Sequence, residues 1–164
     1  MSGSGPPPGA ITSPGDLYMA TQPRGVRRVS GEYYTPGWLA DHVLDRAGFD
    51  GAGDATLLDP MCGSGTIPLE AALMARRIAP GQSRSFAFER LIIHDAKRWG
   101  HLRETSRVKQ LAAVPAAIYA SDQDPAAVKI AQRTFQGAGV AIDIRLRQSD
   151  VLALEAPAEQ GVLL

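Results

Sequence analysis

The chain has 164 residues, 45% of them apolar, the proportions of one soluble domain with a buried core, and its seventeen basic residues cancel its seventeen acidic ones. Net charge near zero advertises no polyanionic partner, and the lone Cys62 excludes an internal disulfide framework and leaves no cluster for a zinc site. With no signal-peptide pattern and no apolar run near the roughly 18 residues a membrane span needs, the expected place is the reducing cytoplasm.

Residues 1–30, with their Gly-Pro-Pro-Pro-Gly run and no sustained apolar period, read as a flexible leader, in which Arg24, Arg27 and Arg28 are solvated or touch phosphate. Order is expected from near Tyr33. Thr35 is placed to cap a helix with Pro36 at its first position and Leu39, Ala40, Val43, Leu44 and Ala47 on its apolar face. The run 55–58 predicts a strand entering the turn Asp59-Pro60-Met61-Cys62-Gly63-Ser64-Gly65-Thr66, and a helix from Ile67 to about Ile78 follows. An Arg-rich connection then leads to a helix after Asp95, with Trp99, Leu102 and Leu111 expected to face inward.

A second strand, 116–120, ends in Ser121-Asp122-Gln123-Asp124-Pro125, where Asp124 and Pro125 are a cap and first-position pair for a helix carrying Val128, Ala131 and Phe135. Gly137-Ala138-Gly139 closes it. Residues 142–147 alternate apolar and polar like a half-covered strand, and Gly161 to Leu164 read as the opening of a fourth, buried strand. Strands alternating with helices indicate an α/β fold with a mainly parallel sheet.

Such a sheet binds ligands beyond the carboxyl ends of its strands. Three successive strand ends here carry what an adenosyl cofactor needs. At the first, Gly63 and Gly65 let backbone approach a ligand, and amides at a helix N-terminus suit a carboxylate. At the second, Asp122 is placed to accept both ribose hydroxyls, while Asp124 caps the next helix; at the third, Asp150 is placed to accept from an adenine amine. Singly, each has a bland reading as a turn or cap residue. In order after three strands they form a pattern.

The run from Leu57 to Thr66, followed by Glu70-Ala71-Ala72, resembles the cofactor motif of class I methyltransferases that act on amino groups. Ala79-Pro80-Gly81, Phe86-Ala87-Phe88-Glu89-Arg90 and Asp95-Ala96-Lys97-Arg98-Trp99 look like the insertion of the K/L-like large-subunit ribosomal RNA guanine-N2 methyltransferases, often joined to a THUMP RNA-binding domain. The resemblance implies a Rossmann-like class I methyltransferase sheet, incomplete after three strands and the start of a fourth. It makes residues 31–164 the N-terminal, S-adenosyl-L-methionine-binding part of that domain. It places Asp59, Pro60, Cys62, Gly63, Ser64, Gly65 and Thr66 around the cofactor, Asp122 with Gln123 at the ribose, and Asp150 with Val151 at the adenine.

Two features depart from that family. Gly31-Glu32-Tyr33-Tyr34-Thr35-Pro36 is similar to the segment before the cofactor motif in adenine-N6 DNA methyltransferases, which implies binding roles for Tyr34, Thr35 and Pro36 at the methionine end. Both families also place an Asn/Asp-Pro-Pro-Tyr/Phe motif after the fourth strand, and no such sequence occurs here. The chain alone is therefore expected to be inactive and, with an open apolar sheet edge, marginally folded. Three functions stay open: ribosomal RNA guanine-N2 methyl transfer, adenine-N6 DNA methyl transfer, and a non-catalytic cofactor-binding or interaction module.

Cys62 has no evident partner base and reads as a small buried thiol, and His42, His94 and His101 lack metal-ligand spacing. Residues 76–109 hold nine basic residues against three acidic ones, either a solvated face or a track for an RNA backbone.

Overall fold

A computed structural model describes residues 35–164 apart from Asp54 and Ser83; the leader and Tyr34 lie outside the described residues. Helix α1 spans Gly37–Arg46 and buries Ala40 and Leu44. Pro36, not Thr35, occupies the N-cap position: its backbone is extended (φ −61°, ψ 144°), and its carbonyl accepts from the N–H groups of Leu39 and Ala40. The expected Thr35 side-chain cap is absent, because the helical dihedrals begin one residue later than a first-position proline requires.

Strands β1 (Thr56–Asp59), β2 (Ala117–Asp122), β3 (Ile144–Gln148) and β4 (Val162–Leu163) form one parallel sheet in the order β3-β2-β1-β4. Leu57 registers with Ile118, and Ile118 with Ile144. This row packs against Leu69 and Ala72 of α2 (Thr66–Ala75), Ala131 and Phe135 of α4 (Pro125–Ala138), and Leu44 and Phe49. The chain adds β2 and β3 on one side of β1 and then returns to its other side. The order thus reverses beside β1, and the crevice at that point opens at the ends of β1 and β4.

Helix α2 is apolar nearly all round and is accordingly buried nearly all round. It ends at Ala75 rather than near Ile78, because Arg77 turns to φ 56° and sends the chain away. Arg76 holds this corner together. Its backbone carbonyl accepts from Leu111 N–H, its Nε donates to Leu111 O, and its Nη1 donates to Gly139 O and to Asp143 Oδ2, 3.2 Å away. Asp143 is buried by this ion pair and also accepts from Val114 N–H, so β3 starts at Ile144 rather than at Ile142, which is left exposed in the preceding turn.

Asp124 caps α4 through Ala126 N–H, Pro125 holds its first position, and the helix runs through Gly137 to the left-handed Gly139. Helix α3 (Ala96–Val108) departs further from expectation. Asp95 caps it through Arg98 N–H, yet none of its residues is buried. Leu102 is 55% exposed, and only Trp99 packs, edge-on to Phe86 and Phe88 around the short 3-10 turn Ala87–Arg90. Leu111 lies beyond the helix and is half-buried. The helix leans on its own connection instead of the sheet, so an apolar spacing of three gives no core face.

Candidate cofactor site

The turn after β1 is built by hydrogen bonds that reach across to β2. Cys62 N–H donates to Ser121 O at 2.9 Å, and buried Ser121 Oγ donates to Pro60 O. Gly63 N–H donates to Asp122 Oδ2 at 2.9 Å, while Asp122 Oδ1 accepts from Asp124 N–H at 2.9 Å. Asp122 is thus a clasp between the glycine turn and the start of α4. Each of its oxygens keeps a further lone pair. Sequence reasoning missed Ser121 and the clasp, since partners about sixty residues apart leave no local signal.

The two glycines differ in what they do. Gly65, at φ 82°, closes the turn through Cys62 O and begins α2; a Cβ there would lie 2.7 Å from the Phe135 ring. Its bareness serves helix packing. Gly63, at φ 54°, has open space where a Cβ would stand, as backbone under a ligand requires. Ser64 Oγ and Thr66 Oγ1 lie 3.4 Å apart, and the N–H groups of Ser64, Thr66 and Ile67 meet no acceptor among the described residues.

Burial pushes the Asp59 carboxyl up to about 6; its hydrogen bond from Met61 N–H opposes this, and the charge of Asp122 adds to it. Burial and then the charges of Asp59 and Asp122 push Cys62 up to about 12. Cys62 is a neutral thiol in the core, with its N–H given to Ser121 O on β2 and its C=O to Gly65 N–H within the turn. Pro60 and Thr66 are likewise buried in the turn. Glu70 on α2, raised first by burial and then by Asp41, sits against Gly37 at the start of α1. Thr35 and Pro36 therefore enter beside α2, about one turn beyond Thr66.

Ser149 N–H donates to Asp122 O and so joins the ends of β3 and β2. Asp150 is exposed next to that junction; one of its oxygens caps the short turn Val151–Ala153 through Leu152 N–H. Gln123 is exposed, and its carbonyl accepts from Gln148 Nε2. Asp59, Gly63, Asp122 and Asp150 thus line the ends of three adjacent strands. Among the described residues no group of three potential metal ligands occurs.

A parallel sheet with this glycine turn at its switch point defines a class I methyltransferase fold. SMU.472, assigned as a methyltransferase and complexed with SAH, superposes with a TM-score of 0.72 at 27% identity over 77% of this chain and 33% of its own. A protein from Listeria monocytogenes assigned as an N6-adenine-specific DNA methylase gives 0.71 at 28% identity, over 85% of this chain and 36% of its own. Residues 27–164 match the RMKL-like methyltransferase-domain family, and the chain belongs to it. The ribosomal RNA large subunit methyltransferase K/L of Shewanella baltica (strain OS185) is 41% identical over 145 residues, 86% of this chain. The same-named protein of Shewanella oneidensis is 40% identical over 145 residues. The chain spans only 20% of the length of these relatives.

Proposed function

We propose that this chain is the S-adenosyl-L-methionine-binding part of a methyltransferase acting on an exocyclic amine of a nucleic-acid base, with guanine N2 of ribosomal RNA as the target. One observation carries the reading: an open, left-handed Gly63 whose amide is clasped by Asp122 at the switch point of a parallel sheet. The names of its relatives favour ribosomal RNA. Adenine N6 in DNA is the second reading, favoured by the assignment of the Listeria neighbour.

The residues fit the cofactor. Ser64, Thr66 and Ile67 amides would take the methionine carboxylate, helped by the positive end of α2. Spare lone pairs of Asp122 would accept the ribose hydroxyls, and the uncapped oxygen of Asp150 the adenine amine. Tyr34, Thr35 and Pro36 would cover the methionine end, with Gln123 and Val151 flanking the nucleoside. The neighbouring carboxylates Asp59 and Asp122 give the turn a field that suits a cation. When bound, S-adenosyl-L-methionine supplies an electrophilic sulfonium methyl group for transfer to the amine nitrogen.

Holding the target amine falls to the Asn/Asp-Pro-Pro-Tyr/Phe motif, which these 164 residues do not contain. The polypeptide by itself therefore binds the cofactor without transferring its methyl group. A THUMP-type RNA-binding domain and a cytoplasmic setting complete the proposal; among the described residues no helix is long and apolar enough to cross a membrane.

Radiolabelled methyl transfer tests this, using the chain alone and the chain joined to a motif-bearing C-terminal half from a family member. Label should enter ribosomal RNA with the joined protein only. Label in duplex DNA would instead support the adenine reading, and cofactor binding without label in either would leave the non-catalytic module.

A further inference from the structure

Residues 77–110 form an excursion between α2 and β2 that the cofactor site does not use. It leaves and returns at the Arg76–Leu111 pair of hydrogen bonds. Helix α2 begins at the glycine turn and its ten residues cover about 15 Å, so the excursion is rooted one helix length from the methyl-transfer end.

The excursion has its own aromatic cluster. Ring centroids of Phe88 and Trp99 lie 5.0 Å apart edge-on, and His94 lies 5.7 Å from Phe88. Beside them opens a hollow of about 310 Å³, lined chiefly by Phe88, Leu91, Ile93, His94, Arg98 and Trp99. Of the nine basic residues of 76–109, Arg77, Arg107 and Lys109 are exposed at the ends of the stretch, and the other six divide by partner. Arg76 is paired with Asp143, Arg84 lies over the Phe86 ring at 4.2 Å, and Arg103 donates to Gln82 O. Arg98 lines the hollow, and Lys97 and Arg90, chain neighbours of the lining residues Arg98 and Leu91, are exposed; none of the three has an ion-pair partner among the described residues. Of the acids, Asp95 lines the hollow and accepts from Arg98 N–H, and Glu89 accepts from Phe86 N–H.

We propose that this hollow takes an unpaired base of a single-stranded RNA segment, with Arg98 and Lys97 on the adjoining phosphates. An aromatic, apolar cup beside unpaired cations matches the two faces of a nucleotide, a stacking base and a charged backbone. The assignment rests on the RNA reading above and extends it. The cup anchors RNA away from the nucleotide being methylated.

Replacing Trp38 with Phe leaves Trp99 as the only tryptophan, and its fluorescence can be followed while a short single-stranded RNA is titrated in at several salt concentrations. Binding should quench Trp99. Lys97→Gln with Arg98→Gln, both exposed, should weaken binding roughly tenfold and make the slope of log affinity against log salt shallower by roughly 1.4, about 0.7 for each cation lost. Circular dichroism and cofactor calorimetry on the same variants verify the fold. RNA bound with Trp99 unquenched and the salt slope unchanged would overturn the cup while sparing the RNA reading. Cofactor binding with no RNA binding would overturn the cup as well. Self-association through Leu91, Ile92 and Ile93, insensitive to RNA, would assign the surface to protein contact and overturn it too. Failure of the RNA reading itself reads differently, as methyl label in DNA and none in RNA.

Discussion

Asp59 is 5% exposed, and its carboxyl is pushed up from 3.8 to about 6. The folded state thus holds this proton more tightly than the unfolded chain does. Stability from this group is greatest below about pH 4, falls as pH rises through the window to about 6, and stays low above it. Asp59→Asn, which keeps an acceptor for Met61 N–H, should therefore be more stable than the parent above pH 6, by up to about 3 kcal/mol, and nearly equal to it at pH 4. Urea unfolding at pH 4, 5, 6 and 7.5 measures this; a difference that does not grow with pH would contradict it. The glycines offer a second comparison. Gly65→Ala should lose about 2–4 kcal/mol, from overpacking against Phe135 plus left-handed strain, while Gly63→Ala should lose only about 1–2 kcal/mol from strain alone. Equal losses in thermal unfolding would contradict the separate roles of the two residues.

At the scale of elements, α2, α4 and the first three strands were legible because their signals are local: apolar runs, the glycine turn, and Asp124-Pro125 before a 3.6-residue period. What escaped depends on distant partners. Nothing near Ile142 announces that Asp143 will be drawn inward by Arg76, sixty-seven residues away, so the alternating pattern places the strand two residues early. Leu102 has the spacing of a core residue relative to Trp99, but whether α3 meets the sheet is decided by the whole excursion. The same distance hid Asp122's clasp on Gly63, although its place at the strand end was readable. Arg76→Met should lose about 3–4 kcal/mol, because it leaves Asp143 buried without its charge partner, and adding Asp143→Leu should restore part of the loss. A double variant no better than the single one would contradict that coupling.

For the whole molecule, α2 and α4 cover one face of the sheet. On the other, Arg145 Nη1 donates to the Tyr119 hydroxyl, Arg147 is exposed, and a hollow of about 440 Å³ lies beneath Glu155, Ala156 and Pro157. Parallel sheets are ordinarily covered on both faces. Strand β4 pairs with β1 through two residues only, and Leu163 at the rim is 69% exposed rather than buried as its apolar run suggests. An apolar edge of this kind templates strand pairing between molecules. Leu163→Lys should lower the self-association of the 164-residue chain, as light scattering over a concentration series would register; unchanged association would locate the contact elsewhere.

The strand-end site is tested most directly by calorimetric titration of the 164-residue chain with S-adenosyl-L-methionine. The expected result is saturable binding to a single site, weakened at least tenfold by Asp122→Ala, which removes the clasp together with the oxygens proposed to accept the ribose hydroxyls, and preserved in Lys97→Gln. Absence of binding by a chain shown to be folded, or an affinity indifferent to Asp122→Ala, would contradict it.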